Sequence, residues 1–257
     1  QGNQSLAWLK RPQKTPTLLA LADMVFAGNR YLADFGRQYN DCVKILPTTI
    51  DTNQYVSTRK PRSADEPICI GWSGSLTTIK HFELAIPFLR KIKKRFGEKI
   101  QFKVIGSGSF EHRELGIHGI PWSLETELDD LMSFDIGMMP LPSDDWAKGK
   151  CGLKGLQCMA LEIPTIMSPV GVNSEIIRDG ENGFLASSAA EWESKLTQLI
   201  ESPELRARLG KAGRKTVVDH YSVESQKDNY LRCLNELIAM YPRTARAPLL
   251  KRLRWTR

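Results

Sequence analysis

The chain has 257 residues, of which 41% are apolar and 25% charged, which are globular proportions for one large or two small domains. The net charge of +7 is uneven, because six basic residues and no acidic ones lie between positions 243 and 257. Removing those six charges leaves about +1 for the other residues, which excludes a basic nucleic-acid-binding face on the body of the protein.

Five scattered cysteines without a CxxC pair indicate neither a zinc site nor a disulfide framework, and favour a reducing, cytoplasmic compartment. The four histidines have no metal-ligand spacing, so no metal is expected. No apolar stretch reaches the roughly 18 residues of a membrane-spanning helix. The chain has no signal peptide and begins at Gln1 rather than Met, which suggests a piece of something longer.

The N-terminal quarter contains short predicted elements. Strands are predicted at 24–27 and 43–46, and Asn29 is placed to cap a helix that runs to about Tyr39. A polar linker follows over residues 56–66, and we place a domain boundary there.

From residue 67 onward, strands and helices alternate, which predicts an α/β fold with a mainly parallel sheet covered on both faces. Ser123 is the expected cap of the second helix in this part. The predicted strands are 68–72, 102–105, 117–122, 134–141 and 163–167, and the predicted helices are 79–96, 125–133, 153–161, 189–201, 204–220 and 222–240.

Two predicted loops follow the first two of these strands and end at the same edge of the sheet, where open α/β sheets bind ligands. Gly74, Ser75 and Lys80 lie in or beside the first loop, and their N–H groups, hydroxyl and ammonium suit a phosphate. A capped helix with a solvated lysine is the alternative, and the spacing of a Walker loop is absent. Gly106 and Gly108 lie in the second loop, where a plain turn is the alternative.

A third loop, at 149–153, opens a helix whose N-terminus suits an anion. Gly152 allows close approach of a ligand, while Lys150 and Lys154 either reach a phosphate or sugar or are solvated. Gln157 lies one turn further along the helix. Glu175, in a later loop, either accepts sugar or ribose hydroxyl groups or caps local backbone. An ordinary α/β unit without a ligand is the alternative for the whole stretch.

Over residues 20–240, these motifs resemble the C-terminal half of a retaining GT-B glycosyltransferase, close to glycosyltransferase family 4 (glycosyl transferases group 1). Residues 74–80 match the spacing of the family's G-R-L-x-x-x-K-G loop, and 104–108 resemble its V-G-x-G strand end. Residues 149–185 resemble its E-x7-E helix with the following P-x-I and G-x-x-x-E-x-I-x-x-G-x-x-G-x-L. Residues 22–52 resemble the end of the family's N-terminal domain.

Three positions depart from the family pattern. The usual arginine falls on Ser75, and the two glutamates of E-x7-E fall on Gly149 and Gln157. In the family those glutamates contact the donor sugar and the ribose. The resemblance leaves Gln157 able to bind the ribose, whereas Gly149 cannot replace a carboxylate unless Lys150 or Lys154 compensates.

The resemblance implies the donor-binding part of an enzyme that moves a sugar from a nucleotide-diphosphate sugar to a glycan or lipid-linked acceptor in polysaccharide biosynthesis. It implies no permanently bound cofactor, and we expect the chain alone to be inactive. The catalytic roles fall on Lys80 and Lys154. The implied donor-binding residues are Gly74, Ser75, Gly106, Gly108, Lys150, Gly152, Gln157 and Glu175.

The implied organisation has five parts: a remnant of an acceptor-side domain (1–55), a linker (56–66), a Rossmann-like donor domain (67–221), a crossing helix (222–240) and a basic tail (241–257). The tail either contacts anionic lipid at the inner face of the membrane or is a solvated end. Two alternatives for function stay open: a non-catalytic nucleotide-sugar-binding module, and a nucleotide-sugar epimerase or phosphorylase of the same fold.

Overall fold

The computed structural model describes residues 13–58, 63 and 66–240, and its centre is a five-stranded parallel sheet with the order β4-β3-β7-β8-β9. Two further pairs, parallel β1-β2 and antiparallel β5-β6, lie outside it. The strands are β1 Val25–Ala27, β2 Val43–Ile45, β3 Ile68–Ser73, β4 Ile100–Ile105, β5 Glu111–His112, β6 Ile117–His118, β7 Ile136–Met139, β8 Thr165–Met167 and β9 Phe184–Leu185.

Helices cover both faces of the central sheet, as the alternation of elements predicts. They are α1 Lys14–Leu21, α2 Arg30–Gly36, α3 Ile79–Glu83, α4 Ile86–Phe96, α5 Glu127–Met132, α6 Asp145–Lys148, α7 Leu153–Ala160, α8 Asn173–Ile176, α9 Ala189–Glu201, α10 Pro203–Thr216 and α11 Val223–Met240.

The core is divided by the sheet because successive side chains of a strand point to opposite faces. On one face Ile70 packs with α4 and α9, whose Phe88 and Trp192 rings stack at 5.2 Å between centroids. On the other face Cys69 packs with residues of α5 and α7. Coverage on both sides explains why all four residues of β7 are buried.

The predicted helix over 79–96 is wrong in one respect, because the structure divides it into α3 and α4. Pro87, in the first turn of α4, has no N–H to donate, and in a continuous helix its ring would meet the carbonyl of Glu83. The chain therefore breaks at residues 84–85 and starts a new helix.

Other boundaries also differ from the sequence prediction. The strand expected over 117–122 ends at His118, before Gly119 and Pro121, and pairs with β5. Ser123 does not cap α5, because its hydroxyl bonds to Glu125 and the helix begins after Thr126. The loop expected before Lys150 contains α6, and the helix expected over 204–220 ends at Thr216 and continues as a π-helical turn over 217–221.

Helix α11 lies against the N-terminal elements. Tyr230 meets Phe26 edge-on with 6.5 Å between ring centroids, and Lys44 Nζ lies 2.5 Å from a carboxylate oxygen of Glu236. At Ile50 the chain leaving the N-terminal elements runs beside the returning segment, since its N–H donates to the Tyr221 carbonyl at 2.8 Å. The basic tail and most of residues 59–65 lie outside the described residues.

None of the helices within the described residues has the length and apolar character needed to cross a membrane.

Candidate functional site

Two adjoining cavities lie at the carboxyl edge of the central sheet. The larger, of 460 Å³, is lined by residues 74–76, 106–109, 121–122 and Lys154. The smaller, of 220 Å³, is lined by residues 72–75, 139–141, Thr78, His81, Lys150 and Lys154. Gly74, Ser75 and Lys154 line both cavities, so the structure brings together the three loops that the sequence predicts at this edge.

The smaller cavity lies at the point where the strand order of the sheet reverses. The chain passes from β3 to β4 on one side, and then crosses to β7 on the other side of β3. The ends of β3 and β7 supply Ser73 and Met139 to the cavity wall. Such a switch point opens a crevice between loops that leave in opposite directions, and doubly wound sheets bind ligands there.

Close backbone contact fixes the first two loops relative to each other. The N–H of Gly74 donates to the Ile105 carbonyl at 3.0 Å, and Gly106 has a φ of +105°. A Cβ atom at position 106 would collide with the Gly74 carbonyl group, so this position requires glycine. Gly108 packs against Pro121, and the Ser75 N–H donates to Thr78 Oγ1 at 2.8 Å.

The third loop positions Lys154 through the start of α7. Gly152 adopts a left-handed φ of +72°, and a Cβ atom there would collide with Ile176 of α8. Lys154 lies in the first turn of α7 and lines both cavities. Its Nζ lies 3.4 Å from Oε1 of Glu127, so its position is fixed by a carboxylate outside the loop.

Glu127, a residue that sequence reasoning missed, is at the centre of a buried polar cluster. Its side chain accepts from Trp122 Nε1 and from the Tyr55 hydroxyl, both at 2.8 Å, and the residue is 9% exposed. Burial alone would raise the pKa of Glu127, yet these hydrogen bonds and the charge of Lys154 hold it below its ordinary value. The Glu127 carboxylate therefore joins two cavity-lining side chains, Trp122 and Lys154, to Tyr55.

Tyr55 is held by the same cluster. Burial, together with its hydrogen bond to Glu127, raises the pKa of Tyr55 to about 12. The Gln157 amide donates to the Tyr55 oxygen at 2.6 Å, while the tyrosine hydroxyl donates to Glu127. A series of hydrogen bonds thus links Gln157 of α7, through Tyr55, to Glu127 at the start of α5.

Positive charge accumulates beside the smaller cavity. Burial lowers the pKa of Lys150, an effect that Asp144 opposes and the charge of Lys80 reinforces. Burial, followed by the charges of Lys150 and Lys80, also lowers the pKa of His81. Lys80 itself is exposed on α3 and lines neither cavity, but its charge acts on both residues.

Four residues of the predicted site line neither cavity: Lys80, Gly152, Gln157 and Glu175. Gln157 is only 4% exposed and bonds to Tyr55 instead of facing the cleft. Glu175, on α8, lines a separate cavity of 370 Å³ with Lys215 and Tyr221. Gly149 is placed so that an added Cβ would lie 3.5 Å from the Leu32 side chain. Glu127 provides a carboxylate beside the larger cavity, through its contacts with Trp122 and Lys154.

Asn29 links the N-terminal elements to the lysine loop. Its Oδ1 caps α2 by accepting the Leu32 N–H at 2.8 Å, as the sequence predicts. Its Nδ2 also donates to the carbonyl groups of Lys148 at 3.1 Å and Lys150 at 3.0 Å. The cap was predictable from local sequence, whereas the second contact joins residues more than a hundred positions apart.

Within the described part of the chain, no group of three or more His, Cys, Asp or Glu side chains is arranged to hold a metal ion.

The fold and the cleft together define a class: a doubly wound α/β domain with a basic, glycine-lined ligand site at its switch point. The family model described as "Glycosyl transferases group 1" matches residues 56–216, which is more than half of the chain. The protein therefore belongs to this family, and the resemblance stated from its motifs is confirmed at that level.

Individual relatives agree with this placement. The putative glycosyltransferase EpsD of Bacillus subtilis is 40% identical over 84 residues, which are 31% of this chain and 22% of EpsD. Sucrose-phosphate synthase from Thermosynechococcus elongatus superposes with a TM-score of 0.69 at 16% identity, over 88% of this chain and 61% of the synthase. Anabaena HepE, solved in complex with UDP and glucose, superposes with a TM-score of 0.68 at 14% identity, over 88% of this chain and 69% of HepE.

These structural similarities confirm the predicted GT-B-type α/β fold. The match covers less than a quarter of the length of EpsD, and the superposition covers less than two thirds of the length of the synthase.

Proposed function

We propose that the chain is the donor-binding part of a retaining glycosyltransferase, which moves a sugar from a nucleotide-diphosphate sugar to a glycan or lipid-linked acceptor. The observation that carries this proposal is the convergence of three loops on two adjoining cavities beside Lys80, Lys150 and Lys154. Family membership and the similarity of the fold to that of HepE, which binds UDP and glucose, support it.

The larger cavity suits the nucleoside of the donor. Trp122 is 49% exposed and, with Pro121, provides a flat apolar wall against which a base packs. Residues 106–108 form another part of the lining, where the absence of bulky side chains allows close approach. The ribose then lies towards Gly74 and Lys154.

The diphosphate belongs where the two cavities meet. Gly74, Ser75 and Lys154 line both, and the N-terminus of α7 adds the favourable end of a helix dipole. Lys80 and Lys150 supply further positive charge. As the bond to the sugar breaks, negative charge grows on the diphosphate, and these lysines stabilise that leaving group.

The acceptor side belongs to the N-terminal elements and the segments that extend them. Phe26, Ile45 and Ile238 are exposed apolar side chains on β1, β2 and α11. A single two-stranded sheet buries little apolar surface, so we infer that residues 1–55 are the C-terminal remnant of a second α/β domain and that α11 crosses back to that domain. We expect the chain alone to be inactive in sugar transfer because the second domain provides the site that binds the acceptor.

Titration calorimetry of the chain against UDP, GDP and ADP tests the donor site. One diphosphate should bind, and Lys80→Ala or Lys154→Met should raise its Kd about tenfold or more, the effect of losing one charge-assisted hydrogen bond. The matched control is Lys211→Ala, an exposed lysine on α10, which should leave Kd unchanged. Binding of none of the three nucleotides would contradict the proposal.

Gly149 favours a second candidate, a non-catalytic nucleotide-sugar-binding module, because it leaves no side chain where the family places a carboxylate. Transfer from a labelled donor by the full-length protein separates the two candidates. Transferred label supports the enzyme, whereas donor binding without transfer supports the module. Conversion of the donor to its epimer would instead identify a nucleotide-sugar epimerase.

We also propose that the enzyme is cytoplasmic and that residues 243–257, with six basic side chains, contact anionic lipid near a membrane-bound acceptor. Reversing the charges of Arg252 and Arg254 should abolish co-sedimentation with phosphatidylserine vesicles at low salt. Undiminished co-sedimentation of that variant would contradict the membrane role.

A further inference from the structure

Two buried polar atoms of the smaller cavity have no hydrogen-bond partner among the described residues. They are Oγ of Ser73, in a residue 6% exposed, and Nε2 of His81, in a residue 3% exposed. An unpaired buried polar atom lowers stability, and proteins pair nearly all of them. Two such atoms, both in residues that line one cavity, indicate a ligand that provides both partners.

The other walls of the cavity show what kind of ligand group fits. Trp72, Met139, Pro140 and Leu141 are apolar, and Ser73, Thr78 and His81 are polar, with Lys150 as a cation in the same lining. A phosphate group has no apolar face to place against the first four residues. A sugar ring has both C–H faces and hydroxyl groups, which suits a mainly apolar wall with a few placed polar groups.

The order of the cavities leads to the same assignment. In the proposed function the nucleoside lies in the larger cavity and the diphosphate lies at the residues shared by both cavities, so the next group of the donor, its sugar, falls in the smaller cavity. The end of β3 runs directly from Ser73 into Gly74 and Ser75, which line both cavities. The group beyond the diphosphate therefore falls against Ser73 and His81.

We infer that the smaller cavity holds the sugar ring of the donor, and that Ser73 Oγ and His81 Nε2 select that sugar by hydrogen bonds to its hydroxyl groups. This inference rests on the proposed function and adds the residues that read the sugar. Position 81 aligns with the final glycine of the family's G-R-L-x-x-x-K-G loop, so the imidazole is a group that the motif does not provide.

The test compares a nucleoside diphosphate with its sugar conjugate, using UDP and UDP-glucose or the corresponding pair for whichever base binds. Ser73→Ala removes one hydroxyl, and His81→Phe keeps a buried ring without its nitrogen atoms. Each variant should raise the Kd of the conjugate about three- to tenfold and leave the Kd of the diphosphate unchanged. The matched control is Ser194→Ala on the exposed side of α9, which should change neither constant.

Ser73 Oγ has no partner within the described residues, so Ser73→Ala should fold normally and melt at the wild-type temperature without ligand. The Ser73→Ala variant therefore still tests the inference if His81→Phe does not fold. Equal losses for UDP and UDP-glucose would overturn the inference in favour of a phosphate site, and unchanged constants for both would overturn it outright. Failure of the wild-type chain to bind UDP, GDP or ADP would instead contradict the proposed function.

Discussion

At the scale of single residues, Glu127 determines how two cavity-lining side chains are oriented. Its carboxylate is nearly buried and accepts from Trp122 and Tyr55 while it pairs with Lys154. Lys154 and Trp122 would otherwise have several rotamers at the edge of an open cleft, and ordering them on binding costs free energy. Glu127 is thus a positioning residue, which acts on the ligand through its neighbours.

Glu127→Gln is expected to raise the Kd of the bound nucleoside diphosphate about tenfold, because an amide cannot accept from all three donors. In a double-mutant cycle with Lys154→Met, the combined variant should bind no more weakly than the worse single variant. The conservative Glu127→Asp should recover part of the affinity. Glu125→Gln is the matched control, since Glu125 precedes the same helix but lines neither cavity.

Additive losses in that cycle would contradict a role through Lys154. A lower melting temperature with unchanged nucleotide affinity would show that the buried cluster serves only stability.

At the scale of elements, α9 has a cap whose strength depends on pH. The Glu191 carboxylate accepts from the Ser187 hydroxyl and from the N–H groups of Ser187 and Ser188, while the Ser188 hydroxyl accepts the Glu191 N–H at 3.3 Å. The bonds to Ser187 and Ser188 lower the pKa of Glu191 from 4.5 to about 2. This reciprocal arrangement is a capping box.

A carboxylate whose pKa is lowered by folding stabilises the native state above its unfolded pKa, and this contribution is lost as pH falls through the folded pKa. Glu191→Gln should therefore unfold at lower urea concentration than wild type at pH 6, and the difference should shrink between pH 4.5 and 2. Glu181→Gln, an exposed residue outside any helix, is the control. A difference that is independent of pH would contradict this assignment.

The elements also show how far sequence reasoning reaches. The period of apolar residues predicts the parallel sheet and most helices, because burial on one or two faces leaves a local pattern. The division of 79–96 depends on one proline whose effect competes with a strongly amphipathic pattern. The loops at 74, 106 and 152 were predictable because glycine and strand ends are local signals.

The side chains that complete the site were not predictable in the same way. Glu127, Tyr55 and Gln157 are ordinary polar residues in sequence, and they meet only because α5, the segment before the linker and α7 pack together. Gln157 shares its position with a ribose-binding glutamate of the family, yet it turns to Tyr55. The direction of a side chain depends on distant partners, which no local pattern contains.

At the scale of the whole molecule, Arg214 fastens residues 52–55 to the domain that contains the central sheet. From α10 its guanidinium donates to the Tyr55 carbonyl at 2.7 Å, to the Thr52 carbonyl at 3.4 Å and to the Ala160 carbonyl at the end of α7. Because the Tyr55 hydroxyl bonds to Glu127, this contact extends from α10 to the wall of the larger cavity.

Arg214→Ala should lower the free energy of unfolding by about 2–3 kcal/mol, because charge-assisted bonds are lost and buried carbonyl groups are left unpaired. For a chain of this size that corresponds to a fall in melting temperature of roughly 5–10 °C. The stability of Arg214→Lys should lie between those of wild type and Arg214→Ala, since an ammonium lacks the planar fork that reaches several carbonyl groups. Arg208→Ala, which loses one exposed hydrogen bond to the Gly180 carbonyl, is the matched control and should shift the melting temperature far less.

Differential scanning calorimetry, with and without bound nucleoside diphosphate, measures the melting temperature of each variant. If Arg214→Ala has the same melting temperature as Arg208→Ala, the segment at 52–55 is held by its other contacts. If it melts at a lower temperature but binds nucleotide with wild-type affinity, the path from α10 through Tyr55 to Glu127 does not affect the proposed binding cavities.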